Sequence, residues 1–372
     1  MVAIARFLRP FVIRSCRRGM ATDLQSGVVF KEDGKIGIVT LNNPKTLNAL
    51  NYCMVDQIYD RLVKWEDTME MVLVEGTGRA FCAGGDVVNV TKNFPKSVRE
   101  GQQFFQREYN LNYLIANFKV PFIALINGIT MGGGVGLSIH GKYRIATDKT
   151  MFAMPETAIG LFPDVGVTHF LSRLPGGVGI YLGLTGHRLN GLECVYHGIA
   201  THYLDSKDVP KLRDALVNNK IRAKNLDEDL LKFTSDMKSC PKPINEMPAL
   251  VDQIFVLPTV EEIFKALEKE GSGWSLNTLK TLRKMSPTGL KLTLKAIKEA
   301  RTKTVKEVLQ TDYRLATAAL KGAVSKDFYE GVRALLVDKD KNPKWNPSSL
   351  KEITDEMVEK CFDKCHDNEL EL

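Results

Sequence analysis

The sequence predicts an α/β fold in which strand–helix units build a mostly parallel sheet and a helical region follows it. Three observations lead there. Short apolar runs alternate with amphipathic stretches in the first half of the chain, glycine-rich turns follow the runs, and charged helical periodicity takes over from about residue 205. With 372 residues, 44% of them hydrophobic, the chain can bury a sizeable core.

Residues 27–41 read as two short strands around a glycine turn, the second carrying Ile36, Ile38, Val39 and Leu41, so a hairpin is expected. Over residues 46–67, Leu47, Leu50, Met54, Val55, Ile58, Leu62 and Val63 fall at helical spacing and predict an amphipathic helix. A buried strand follows over 69–78, then a linking helix, then a second strand over 120–129. That order predicts right-handed βα units. Residues 120–139 carry no charge, but Pro121, Asn127 and five glycines suit a strand feeding a tight turn better than a membrane span. The cluster LPGGVG at 174–179 lacks both the GxGxxG context and a P-loop GK[ST], and predicts a turn before a helix. Further on, Ser286 before Pro287 marks a helix start within a C-terminal third expected to be helical.

The formal charge of +7 is unevenly spread. Residues 1–22 hold Arg6, Arg9, Arg14, Arg17 and Arg18 and no acid, so the remainder carries only +2. No nucleic-acid or membrane partner is expected of so neutral a body. The arginines are interleaved with Phe7, Leu8, Phe11, Val12 and Ile13, the composition of a mitochondrial transit peptide, and a matrix location follows from it. The expected division is therefore a leader over 1–22, a core over 23–205 and a helical region over 206–372. Seven scattered cysteines suggest reduced thiols and no disulfide framework. Cys361, Cys365 and His366 have no second ligand pair elsewhere, so no metal is expected. His140, His169, His187, His197 and His202 match no catalytic arrangement and are read as structural.

The stretch MGGGVGL at 131–137 places three consecutive glycines between a strand and a helix expected to start near Gly133. Glycine lets a backbone approach a ligand closely, and the first N–H groups of a helix have no intrahelical acceptor. Such a turn stabilises an anion, including one that exists only in a transition state. Gly84 and Gly85 in GRAFCAGGDV (78–87) offer a second turn of this kind after the strand at 71–75.

Four blocks, LNNPKTLNAL (41–50), GRAFCAGGDV (78–87), PFIALINGITMGGGVGLSI (121–139) and FAMPETAIGLFPDVGVTHFLSRLPG (152–176), resemble the signature blocks of the crotonase (enoyl-CoA hydratase/isomerase) superfamily, in its order and roughly its spacing. The resemblance implies a crotonase-like spiral of ββα units. It also implies an acyl-CoA thioester whose carbonyl is polarised by the backbone N–H groups of Gly85 and Gly133. Within the superfamily the chain most resembles a mitochondrial branch of valine breakdown that hydrolyses a short 3-hydroxyacyl-CoA. The likeness runs from about residue 25 through 327–347.

Carboxylates decide the reaction. Hydratases of the superfamily carry a glutamate three residues after the oxyanion glycine, where this chain has Gly136, and a second in the MPETAIG block, where Glu156 is present. Gly136 cannot do acid/base chemistry, which disfavours hydration. Glu108, Glu156 and Asp164 match substrate-contacting positions of the hydrolase branch. A thioester hydrolase needs a carboxylate nucleophile or a carboxylate base for water, a role assigned to Glu156. Asp164 and Glu108 would then position the 3-hydroxyl or the water, with Asp164 also a candidate acid/base. No cofactor is implied, coenzyme A being part of the substrate, and a homo-oligomer is open because superfamily members often associate through C-terminal helices. The competing readings are a hydratase or isomerase, opposed by Gly136, and a non-catalytic scaffold subunit of a mitochondrial ribosome, opposed by the near-neutral body and the retained site residues.

Overall fold

The expected hairpin is present, β1 (Val28–Asp33) running antiparallel to β2 (Ile36–Leu41). The computed structural model describes residues 27–92, 95, 98–218, 220–236, 238–240, 249–364 and 369–372, and the leader expected over 1–22 lies outside them. Helix α1 (Tyr52–Trp65) starts later than its apolar spacing predicts. Asn51 caps it by accepting the Met54 N–H, and Leu47 and Asn48 adopt left-handed backbone with φ of 55° and 58°. The buried Asn48 amide donates to the carbonyls of Thr77, Ala80 and Phe81, so tertiary hydrogen bonds override helical spacing in this segment.

Next come β3 (Met71–Gly76), β4 (Ala80–Cys82), α2 (Val87–Thr91) and α3 (Val98–Ala116). A second turn repeats the pattern as β5 (Phe122–Ile126), β6 (Ile129–Met131) and α4 (Gly133–Ile139). A third runs β7 (Tyr143–Thr147), β8 (Met151–Ala153) and α5 (Val167–Leu171). Each turn puts its first strand in one sheet and its second in another. The larger sheet has the order β1-β2-β3-β5-β7, and the smaller begins β4-β6-β8 with parallel pairing throughout. The expected spiral of ββα units is thus read directly from the strand order.

Then α6 (Val178–Thr185), β9 (Leu189–Asn190), α7 (Gly191–Tyr196) and β10 (His202–Leu204) complete the spiral, β9 closing the smaller sheet and β10 extending the larger. Helices α8 (Val209–Val217) and α9 (Leu226–Leu231) lead to β11 (Ser235–Asp236), a two-residue strand inside the segment expected to be all helix. It pairs antiparallel with β10, extending the larger sheet by one short strand. Among the described residues seven further α-helices follow: α10 (Leu250–Ile254), α11 (Val260–Glu270), α12 (Gly273–Leu282), α13 (Pro287–Ala300), α14 (Val305–Lys321), α15 (Asp327–Val332) and α16 (Asp355–Phe362). Ser286 caps α13 by accepting the Gly289 N–H, as the Ser-Pro pair predicts.

Both faces of the larger sheet are covered. Ile36, Ile38, Met71, Leu73, Ile123 and Leu125 pack with Leu212, Leu216, Leu226 and Leu230 of α8 and α9. The alternate residues Val39, Val72, Val74, Ala124 and Ile126 belong to the main core, which also takes in α3, α4, α13 and α14. Burial on both sides explains why these strands read as apolar runs. Among the described residues no helix is long and apolar enough to cross a membrane. Among the described residues Cys82, Cys194, Cys240 and Cys361 are free thiols.

Candidate active site

Three neighbouring parallel strands, β4, β6 and β8, end side by side, and the chain that leaves each carries one element of the site. After β4 come Gly84 and Gly85, after β6 Gly132 and Gly133, and after β8 Glu156. The carboxyl ends of adjacent parallel strands are where α/β folds gather ligand-binding groups.

Segment 47–50 holds the first glycine turn. Leu50 donates to the Gly84 carbonyl at 2.8 Å and accepts from the Asp86 N–H at 2.8 Å, a bridge that leaves the Gly85 N–H pointing away. Gly133 opens α4, where an N–H has no partner within the helix. Among the described residues neither the Gly85 nor the Gly133 N–H finds a protein acceptor. The glycine run of 132–134 follows from this geometry. Gly132 has φ 49° and ψ −121°, a conformation denied to L side chains; a Cβ on Gly133 would collide with Glu108 Oε1 and lie 3.2 Å from the Gly85 nitrogen; and one on Gly134 would strike the Cys82 carbonyl of β4.

Glu156 begins a short 3-10 turn after Pro155, and its Oε1 lies 2.9 Å from where a Gly132 Cβ would stand. Glu108 descends from α3 onto the same place. Both carboxylates are buried, and Glu108 Oε1 and Glu156 Oε2 have no hydrogen-bond partner among the described residues. Burial pushes both well above the ordinary glutamate range, Glu108 further by Asp164, Glu156 further by Asp164 and Glu108. Asp164 accepts a 2.7 Å hydrogen bond from the Tyr109 hydroxyl, and burial still raises its pKa to about 6. All five residues singled out in the sequence, Gly85, Glu108, Gly133, Glu156 and Asp164, therefore meet in one interior region. A cavity of about 240 Å³, lined in part by Asn51, Asp86, Gln103 and Phe104, adjoins it where Phe104 rests against Gly85.

Three residues had escaped the sequence reading. Tyr109 is fully buried beside Glu108, and Asn112 follows Glu108 by one helical turn on the same face of α3. Both atoms of the Asn112 carboxamide are unpartnered among the described residues. That amide occupies the place a side chain on Gly136 would fill: a Cβ there would lie 2.7 Å from Asn112 Nδ2 and 2.8 Å from Val165 Cβ. The third, Asp312 on α14, is fully buried, and burial and then Asp164 push its pKa well above the aspartate range. The i,i+4 spacing of Glu108 and Asn112 was a signal available in the sequence; Asp312 had none.

A model of the enoyl-CoA hydratase/isomerase family matches residues 36–362. A Danio rerio protein named 3-hydroxyisobutyryl-CoA hydrolase, mitochondrial, is 44% identical over 95% of this chain and 94% of its own length. The Homo sapiens protein of the same name is 43% identical over 97% and 95%. Among solved structures, a carnitinyl-CoA dehydratase from Mycobacterium thermoresistibile superposes with TM-score 0.85 at 34% identity, covering 93% of this chain and 98% of the other. An enoyl-CoA hydratase from Rhodobacter sphaeroides 2.4.1 gives 0.82 at 34% identity, covering 93% and 100%. The spiral of ββα turns, the paired glycine turns and these likenesses agree: the chain belongs to the enoyl-CoA hydratase/isomerase, or crotonase, family.

Proposed function

We propose that this chain hydrolyses a short 3-hydroxyacyl-CoA thioester, 3-hydroxyisobutyryl-CoA foremost, to the free hydroxy acid and CoA, as a step of valine breakdown in the mitochondrial matrix. The names of its relatives support the reaction and the organelle. The observation that carries it over hydration is at Gly136. The acid/base glutamate of a hydratase is missing there, and Asn112 and Val165 occupy its space. The structural relatives named hydratase and dehydratase make hydration the second reading.

In the proposed mechanism the thioester carbonyl oxygen accepts from the Gly85 and Gly133 N–H groups, which stabilise the negative charge it gains. Glu156 supplies the electron pair. It either attacks the carbonyl carbon, expelling the CoA thiolate and leaving an anhydride that water opens, or takes the proton of a water that attacks instead. A raised pKa makes Glu156 a stronger base once ionised. Glu108 and Asp164 would hold the 3-hydroxyl or the water, and no metal or cofactor takes part. After rapid quench, added acyl mass on the Glu156 peptide selects the anhydride route, and its absence selects activation of water.

The deciding assay measures CoA release from 3-hydroxyisobutyryl-CoA beside hydration of crotonyl-CoA. Fast release with negligible hydration is expected; hydration without release overturns the proposal, and absence of both favours a non-catalytic role. Glu156→Gln should nearly abolish release while leaving the fold intact, and retained turnover would remove Glu156 from its role.

A further inference from the structure

The loop that carries Asp164 holds an unusual backbone. Val165 has φ 55° and Gly166 φ 75°, two successive left-handed residues, the first of them β-branched. A β-branched residue adopts that region only when its surroundings over-determine it. Here they do so from two sides. The Gly166 N–H donates to Asp312 Oδ2 at 2.7 Å, across 146 residues of chain. His140 Nε2 lies 2.7 Å from the Val165 carbonyl oxygen. Because a carbonyl only accepts, that nitrogen carries the proton, and burial keeps the ring neutral by lowering its pKa to about 4. Gly166 itself is gripped between the two: a Cβ there would come within 2.8 Å of the His140 ring and 3.2 Å of Leu309.

We propose that Asp312, reaching in from α14, is a positioning residue for Asp164, acting with His140 through the backbone of residues 165 and 166. The left-handed pair reverses the chain immediately after Asp164, whose carboxylate is then met by the Tyr109 hydroxyl at 2.7 Å. The same turn lays the Val165 side chain over Gly136, filling the space of the absent glutamate. One clamp therefore both aims an acid into the site and closes the place where hydratase chemistry would sit. Among the described residues this fully buried aspartate has no ion pair and its Oδ1 has no hydrogen-bond partner, which is hard to account for in a stabilising element. Its cost is intelligible if the acceptor at Oδ2 is what the fold retains it for.

The kinetic arm of the test rests on the hydrolase reading above; the exchange arm does not. In the full chain, Asp312→Leu keeps the branched shape of the side chain, with two larger methyl groups, and removes the acceptor, whereas Asp312→Asn keeps a side-chain oxygen for the Gly166 N–H. For Asp312→Leu, kcat for CoA release should fall about tenfold or more with KM within about twofold, and Gly166 amide exchange should accelerate about tenfold or more. Asp312→Asn should restore both most of the way. Wild-type kcat in Asp312→Leu overturns the proposal, as does an asparagine variant as impaired as the leucine one. If Asp312→Leu does not fold, Asp312→Asn decides alone: tenfold lower kcat with unchanged Gly166 exchange sinks the clamp. If the wild type releases no CoA, the hydrolase reading fails, and the exchange comparison still decides whether Asp312 holds the loop.

Discussion

The site concentrates four acids, Glu108, Glu156, Asp164 and Asp312, with no salt bridge to any of them among the described residues. Burial raises every one of their pKa values. The folded chain holds the Asp164 proton up to about pH 6, while the unfolded chain releases it near the ordinary value of 3.8. Between those values the folded state binds more protons, so stability falls as pH rises through that range. Asp164→Asn should consequently melt higher than wild type at pH 8, by a margin that shrinks as pH approaches 4; equal or lower melting at pH 8 would contradict the assignment of Asp164 as a costly functional acid. Gly133→Ala probes the other half of the site. Its methyl group would press on Glu108 and approach the Gly85 nitrogen, so CoA release should drop about a hundredfold or more with secondary structure unchanged in circular dichroism.

Among the elements, α3 packs against α4 at the candidate site. Gly133 and Gly136 lie one turn apart on α4, and Glu108 and Asn112 one turn apart on α3 against them. Where a hydratase of the family is expected to place an acid on α4 this chain has Gly136, and the Asn112 amide of α3 lies against it. Restoring it by Gly136→Glu should therefore confer no crotonyl-CoA hydration, and should lower stability by about 1–3 kcal/mol through overpacking against Asn112 and Val165. Adding Asn112→Ala should recover part of that loss in a double-mutant cycle, and strict additivity would show that the two side chains do not compete for one space. The late start of α1 belongs to the same scale. Residues 47–50 have helical spacing, yet they are spent on supporting the Gly84–Gly85 turn through hydrogen bonds that a helix could not make.

For the whole molecule, the region after residue 205 completes the fold. Helices α8 and α9 bury one face of the larger sheet, and α14 packs along α3 while supplying Asp312 and Leu309 to the Asp164 loop. A chain ending at residue 304 should accordingly lose its cooperative thermal transition; a sharp transition would mean that the spiral folds without α14. The sequence by itself determined the alternation of strands and helices, the two glycine turns, and the candidacy of Glu108, Glu156 and Asp164. Those signals are local: periodicity within an element, or residue types at fixed short spacing in a motif. Only the tertiary structure decided that Asn112 and Val165 close the space over Gly136, that Tyr109 holds Asp164, and that Asp312 reaches the site at all. Each of these joins residues far apart in the chain, 55 positions for Tyr109 and Asp164 and 146 for Gly166 and Asp312. Contacts of that kind are set by how parallel strands stack and which helix covers them, and a buried acid such as Asp312 reads in sequence as one more charge on an amphipathic helix.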